Sequence, residues 1–354
     1  MVGQSGLQEL YEQLLRGRPG LQVSIASDRL AEPDVLYRAE PHTGDVLGTT
    51  LDPAVQSAAD EALEGLPGKA AIVAVRVSDG AVVAVANGPD GGEENLALTA
   101  SVAPGSTFTM VSTLALLASG RISADSPVAC PQNSTVSGRT ITNDPGVELG
   151  TVPFHVAFAQ GCNTAFAEIA PGLTGSALAS TAASLGLGTT WNLGVPVTTG
   201  EVGTISSNVD GVLAMLGQSR VQASPVSLAA AVATVARGSW RTPVLLSPFP
   251  SGAPPVKLGP AGDPPAETVL LPGSAVLTLH DLMREVVTDG TGAALADVPG
   301  GPVHAVTGAA GAAPGDADGW TVGWQGDIAF AVFVEGGDRA TAVPVAEAFL
   351  RGLV

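Results

Sequence analysis

The clearest periodic signal in the chain is a pair of apolar segments, AAIVAVRV (70–77) and AVVAVAN (81–87), separated by Ser78-Asp79-Gly80. Such segments around an Asp-Gly step predict an antiparallel hairpin with a tight turn. Just before it the period is helical: Ala54, Val55, Ala58, Ala59, Ala62 and Leu63 follow Asp52-Pro53, a capping residue and a first-turn proline. The change of pattern at Thr50 predicts a boundary between an N-terminal segment, 1–48, and a larger unit, 49–354. Within the segment, Leu7, Leu10, Tyr11, Leu14 and Leu15 predict a helix over Gly6–Leu15, stopped by Gly17, Pro19 and Gly20. LQVSIAS and VLYRAE then predict short strands.

Downstream, Phe108–Leu117 is almost wholly apolar or small and predicts a buried helix behind the Pro104-Gly105 turn. Further helices are predicted over Pro153–Ile169, Gly175–Leu185, Pro225–Ala236 and Ser274–Val287, each bounded by Gly or Pro. The Pro/Gly-rich stretch Ser247–Pro265 reads as a surface loop. The chain then returns to strands, VHAVTG, TVGWQG and IAFAVFVEG, the last two turning at Gly326-Asp327, and closes with a helix over Thr341–Leu350. A helix and hairpin, an all-helical stretch, then strands and a final helix predict an α+β fold, an antiparallel sheet covered by helices.

Composition narrows the partners. The formal charge of −18 arises from 15 Lys and Arg against 33 Asp and Glu, which argues against nucleic acid. Lysine occurs only at Lys69 and Lys257. No apolar run reaches the ~18 residues of a membrane span, and the N-terminus is amphipathic and acidic, unlike a signal peptide. If the protein is exported, its anchor or signal is expected outside this sequence. Cys130 and Cys162 admit two readings: buried free thiols, or one disulfide closing a loop of about 33 residues, worth about 3–4 kcal/mol by chain entropy and requiring an oxidising compartment.

The order and spacing of several segments resemble the transpeptidase domain of class B penicillin-binding proteins, in an actinobacterial-like form, over nearly the whole chain. TTLDPAVQSAADEAL is similar to the helix that opens the domain, APGSTF to the turn before the nucleophile, and FAQGCNTAFAEIA to the segment bearing the second motif. VTDGTGAAL resembles the helix end before the third motif, and VTGAAG, GWTVGW and IAFAVFVEGG resemble that motif and the two strands after it. The resemblance implies a penicillin-binding protein/serine β-lactamase-like fold: a five-stranded antiparallel sheet with helices on both faces plus an all-helical subdomain. Residues 1–48 would be the remnant of the family's N-terminal linker domain.

The family's chemistry uses Ser-x-x-Lys, Ser-x-Asn and Lys-Thr-Gly around one cleft. Ser106 takes the nucleophile's place, with Thr109 where the lysine would stand one helical turn on. A threonine hydroxyl is no more basic than the serine it would activate, so a general base worth roughly 10²–10⁴-fold is lost. The second motif reads Gly161-Cys162-Asn163, keeping Asn163 and losing the proton-relaying serine at Gly161. The third reads Val306-Thr307-Gly308: the lysine's charge is gone, while Thr307, which in the family hydrogen-bonds the ligand carboxylate, and Gly308 remain. Lys69 and Lys257 fall away from all three motifs, whereas His304, two residues before Val306, shares its strand face and is a candidate base. Each retained residue also has a purely structural reading: Ser106 as an N-cap, Asn163 as a satisfier of backbone groups, Thr307-Gly308 as strand. Because Cys162 lies in the second motif and Cys130 begins a loop returning to it, the disulfide is the expected state.

The implied ligands are D-Ala-D-Ala stem peptides of peptidoglycan and β-lactams, bound weakly or slowly, with cell-wall synthesis proteins as partners. No metal or other cofactor is implied. The expected location is extracytoplasmic, with a membrane anchor in the full-length protein. Three functions are open: a pseudoenzyme in cell-wall synthesis, an atypical penicillin-binding protein whose Ser106 acylates slowly and contributes to β-lactam tolerance, or a hydrolase with a site rebuilt around His304 or water.

Overall fold

A computed structural model describes residues 3–25, 33–92, 94–246, 269–311 and 317–354. Helix α1 (Pro53–Leu63) begins as its sequence dictates: the Asp52 carboxylate accepts from the Ala54 and Val55 amides at 2.9 and 3.3 Å. The predicted hairpin follows as β1 (Ala70–Arg76) and β2 (Val82–Asn87). Strands β3 (Val303–Ala310), β4 (Asp318–Gln325) and β5 (Ile328–Val334) complete a five-stranded antiparallel sheet in the order β3-β4-β5-β1-β2. Strand β3, which carries the third motif, is an edge strand, with Thr307 opposite Thr321 and Gly308 opposite Trp320 of β4.

Successive residues of β1 enter different cores. Ala71, Val73 and Val75 face one, shared with α2 (Thr109–Ala118), α3 (Asn163–Ile169), α4 (Pro225–Arg237) and α5 (Gly273–Thr288). Ala70, Ile72 and Ala74 face the other, shared with α1 and α6 (Arg339–Arg351). A sheet covered on both faces explains why its strands read as continuous apolar runs.

The region between β2 and β3 departs from the expected all-helical subdomain. It also contains short strand pairs: Pro127–Cys130 with Gly150–Pro153, Asn133–Val136 with Arg139–Thr142, and Glu201–Val202 with Val221–Gln222. These runs are too short for a period of two to stand out. The middle pair is a hairpin turned at Ser137 and Gly138, both with positive φ as a type I′ turn requires. The helix expected over Pro153–Ile169 is two, Phe154–Ala159 and α3, split at Gln160–Cys162. Likewise Gly6–Leu15 is two short helices, Gly6–Leu10 and Glu12–Leu15, broken at Tyr11, whose hydroxyl donates to the Gly194 carbonyl at 2.6 Å. The N-terminal strands pair as Leu21–Ile25 with Asp34–Ala39, exposing Leu21, Leu36 and Tyr37. The predicted loop Ser247–Pro265, with Lys257, lies outside the described residues. Among the described residues no helix is long and apolar enough to cross a membrane.

Candidate active site

Ser106 sits in a 3₁₀ turn, Gly105–Phe108, that runs directly into α2. Backbone contacts hold this turn. Gly105 N donates to the Gly217 carbonyl at 2.9 Å, and the Trp320 indole donates to the Ala103 carbonyl at 3.1 Å. A Cβ on Gly308 would lie 2.7 Å from Thr107 N and 3.0 Å from Ser106 N, so β3 meets the turn backbone to backbone and only glycine fits. Ser106 is not a helix cap: the turn is preceded by Pro104, and the serine hydroxyl donates instead to Asn163 Oδ1 at 2.9 Å.

Asn163 owes its place to the break in the preceding helix. Gly161 adopts φ +68°, which turns the chain so that Asn163 opens α3. Two features pin this corner. Cys130 and Cys162 are joined, with Cα atoms 6.1 Å apart. Beside them the buried Asn143 side chain donates to the carbonyls of Pro131 and Val147 at 2.9 Å each and accepts from Thr164 N at 2.9 Å.

The positions where the family's motifs carry lysine or serine are occupied differently. Thr109 is buried and its hydroxyl donates to the Ser106 carbonyl at 2.6 Å, so it closes its own turn and does not address the Ser106 hydroxyl. Val306 is buried in the core that the sheet shares with α2, α3, α4 and α5. At Gly161 the space of a side chain is taken by the guanidinium of Arg339, 3.3 Å from where a Cβ would stand. Thr307 is buried and shares a 2.7 Å hydrogen bond with Thr291.

The candidate replacement base does not reach Ser106, and the lysine of the described residues lies elsewhere. His304 stacks on Trp324 at the far end of β3, ring centroids 4.3 Å apart, and burial pushes its pKa down to about 4, leaving a neutral, weakly basic ring. Lys69 pairs with Glu94 at 2.9 Å on the surface beside β1. A cleft of about 540 Å³ opens beside Asn163, lined among others by Arg139, Thr142, Ala310 and Asp318. Burial raises the Asp318 carboxyl above its usual range. The structure thus brings Ser106, Asn163 and Gly308 together with Thr307 on the adjoining residue of β3. Asn143, Thr291 and Arg339 escaped the motif reading; only Thr291 lay in a segment singled out, VTDGTGAAL.

Residues 70–354 match the penicillin binding protein transpeptidase domain. The chain belongs to this family. A peptidoglycan D,D-transpeptidase PbpA of Mycolicibacterium smegmatis is 28% identical over 96% of the chain and 76% of its own length. PbpA of Mycobacterium tuberculosis is 27% identical over 58% of the chain, an alignment spanning 48% of that protein. Among solved structures, penicillin-binding protein A of M. tuberculosis as an imipenem acyl-enzyme complex superposes with a TM-score of 0.77 at 24% identity, covering 88% of this chain and 80% of that one. Pseudomonas aeruginosa PBP2 gives 0.79 at 23% identity, covering 98% and 83%. The penicillin-binding protein fold accounts for the edge position of β3 and for the meeting of three separated motifs.

Proposed function

We propose that this penicillin-binding protein family member keeps the ligand cleft of a D,D-transpeptidase but has lost its general-base chemistry, and works in cell-wall synthesis as a binding or scaffolding component. One observation carries this reading: the Ser106 hydroxyl donates its proton to an amide oxygen, and among the described residues no basic side chain hydrogen-bonds to it. An amide oxygen orients a hydroxyl but cannot take its proton at neutral pH, so the serine stays protonated. The ligands are D-Ala-D-Ala stem peptides and β-lactams. Residues 1–48 serve as a linker remnant, and the protein works outside the cytoplasm. Support for a partner comes from one structural neighbour at TM-score 0.80 and 25% identity, whose structure concerns coordination of polymerization and crosslinking by a peptidoglycan synthase complex.

A second reading has specific support. Ser106, Asn163 and the glycine-fitted approach of β3 are intact, and backbone donors with binding alone can leave roughly 10³–10⁴-fold over water, so slow acylation of Ser106 is the alternative. Intact-protein mass spectrometry after incubation with a penicillin tests both. No adduct, or one forming over hours, fits the proposal and separates its two forms; rapid stoichiometric labelling at Ser106 overturns the loss of base chemistry.

A further inference from the structure

Arg339 is the first residue of α6, where a cation opposes the helix dipole and gains nothing from the helix itself. Its side chain leaves the helix and lies largely buried, 18% exposed. One terminal nitrogen pairs with Asp144 at 2.6 Å, while Nε is buried without a hydrogen-bond partner. The guanidinium fills the room that a side chain at position 161 would use: a Cβ there would lie 3.3 Å from Nη2, 3.6 Å from Nη1 and 3.5 Å from Thr291 Cγ2. Thr291 in turn shares its hydrogen bond with Thr307. The guanidinium and the Thr291 methyl flank the same point above Gly161, which places a positive charge within about 7 Å of Thr291 by the sum of those two distances, in a site with Thr109 and Val306 where the family has lysines.

We propose that Arg339 recognises the free carboxylate of the ligand beside Thr307, supplying the positive charge that Val306 does not. The proposal rests on the ligand class given under Proposed function. The chemistry fits in three respects. A guanidinium presents N–H groups in a planar fork that matches a carboxylate, stays charged at every relevant pH, and tolerates partial desolvation better than an ammonium. Its Asp144 partner is the exposed member, 52% accessible, so water already weakens that pair and a ligand carboxylate is able to displace it. The chain's formal charge of −18 disfavours an anionic ligand at long range, so a local cation favours carboxylate recognition. Gly161 is then not merely a lost serine, because a larger residue there would crowd the arginine.

The test compares two peptides by isothermal titration, one ending in D-Ala-D-Ala with a free carboxylate and the same peptide with a C-terminal amide. The protein is used unaltered and as Arg339→Gln, Arg339→Lys and Arg139→Gln, the last removing the arginine that lines the open cleft. Comparison of acid with amide inside each variant cancels any general loss of stability. The unaltered protein should favour the acid by about tenfold or more, as expected for a charge-assisted fork. Arg339→Gln should abolish the preference, Arg339→Lys should keep part of it, and Arg139→Gln should leave it. An acid preference that survives in Arg339→Gln, or that vanishes in Arg139→Gln alone, overturns the assignment. If neither peptide binds the unaltered protein, the ligand class itself is wrong and the assignment falls with it.

Discussion

His304 offers a sharp test of how burial controls ionisation in this fold. Its ring lies flat on Trp324, planes 4° apart, with Nδ1 buried and unpartnered. Burial, then the charges of His280 and Arg284, lower its pKa from 6.5 to about 4, against opposing contributions from the Pro302 carbonyl and Asp281. The unfolded chain therefore takes up a proton at higher pH than the folded one. Stability from this residue is fully present above pH 6.5 and is lost as pH falls toward about 4. A shift of that size corresponds to roughly 3 kcal/mol; with the ring only half-buried, solvent screening reduces it to about 1–2 kcal/mol. His304→Phe keeps the aromatic face on Trp324 and removes both the titrating group and the unpaired nitrogen. Urea unfolding of both proteins near pH 7 and near pH 4 should show the variant losing about 1–2 kcal/mol less on acidification. Equal losses in the two proteins would refute the argument, since other histidines, including His155 beside Glu285, are common to both.

Three further outcomes are expected. Replacing Cys130 and Cys162 together by serine should lower stability by about 3–4 kcal/mol, read as a fall in the urea midpoint, because the bridge closes a loop between residues 32 apart. Gly308→Ala should cost about 2–3 kcal/mol in the same assay and disturb Ser106, since its methyl would meet backbone at 2.7 Å, which cannot rotate away. The double replacement Thr109→Lys with Val306→Lys should speed penicillin labelling of Ser106, measured by mass spectrometry, by more than the product of the single effects, because these groups act as a unit.

Much of the fold was legible because the sheet is buried on both faces. Its strands carry uninterrupted apolar runs, and Asp52-Pro53 and Asp79-Gly80 mark a helix start and a turn that the structure reproduces. The helix break at Gly161 did not stand out in the period: Phe154, Ala157, Phe158, Ala165 and Phe166 continue the apolar pattern across it, and only the left-handed backbone of the glycine splits the helix. The motif positions could be located because their neighbours are conspicuous, as with Pro104-Gly105 ahead of Ser106. Arg339 could not be found the same way. It lies 178 positions beyond Gly161 by residue number, and only the packing of distant elements brings it to that glycine.

The seat of Ser106 has an evolutionary corollary. Gly105, Gly217 and Gly308 fix the turn through main-chain approach, to which Thr109 adds only a hydroxyl bond to the Ser106 carbonyl and Val306 no polar contact. Both of those side chains are nevertheless buried, at 6% and 4% exposure. An ammonium at either point must give up hydration, so threonine and valine relieve a standing energetic penalty. Reactivity and robustness thus oppose each other at these two sites, and replacing amines there by threonine and valine runs downhill in folding free energy. Relaxed selection for crosslinking would by itself favour threonine and valine over amines at these two points, with no further advantage required of them.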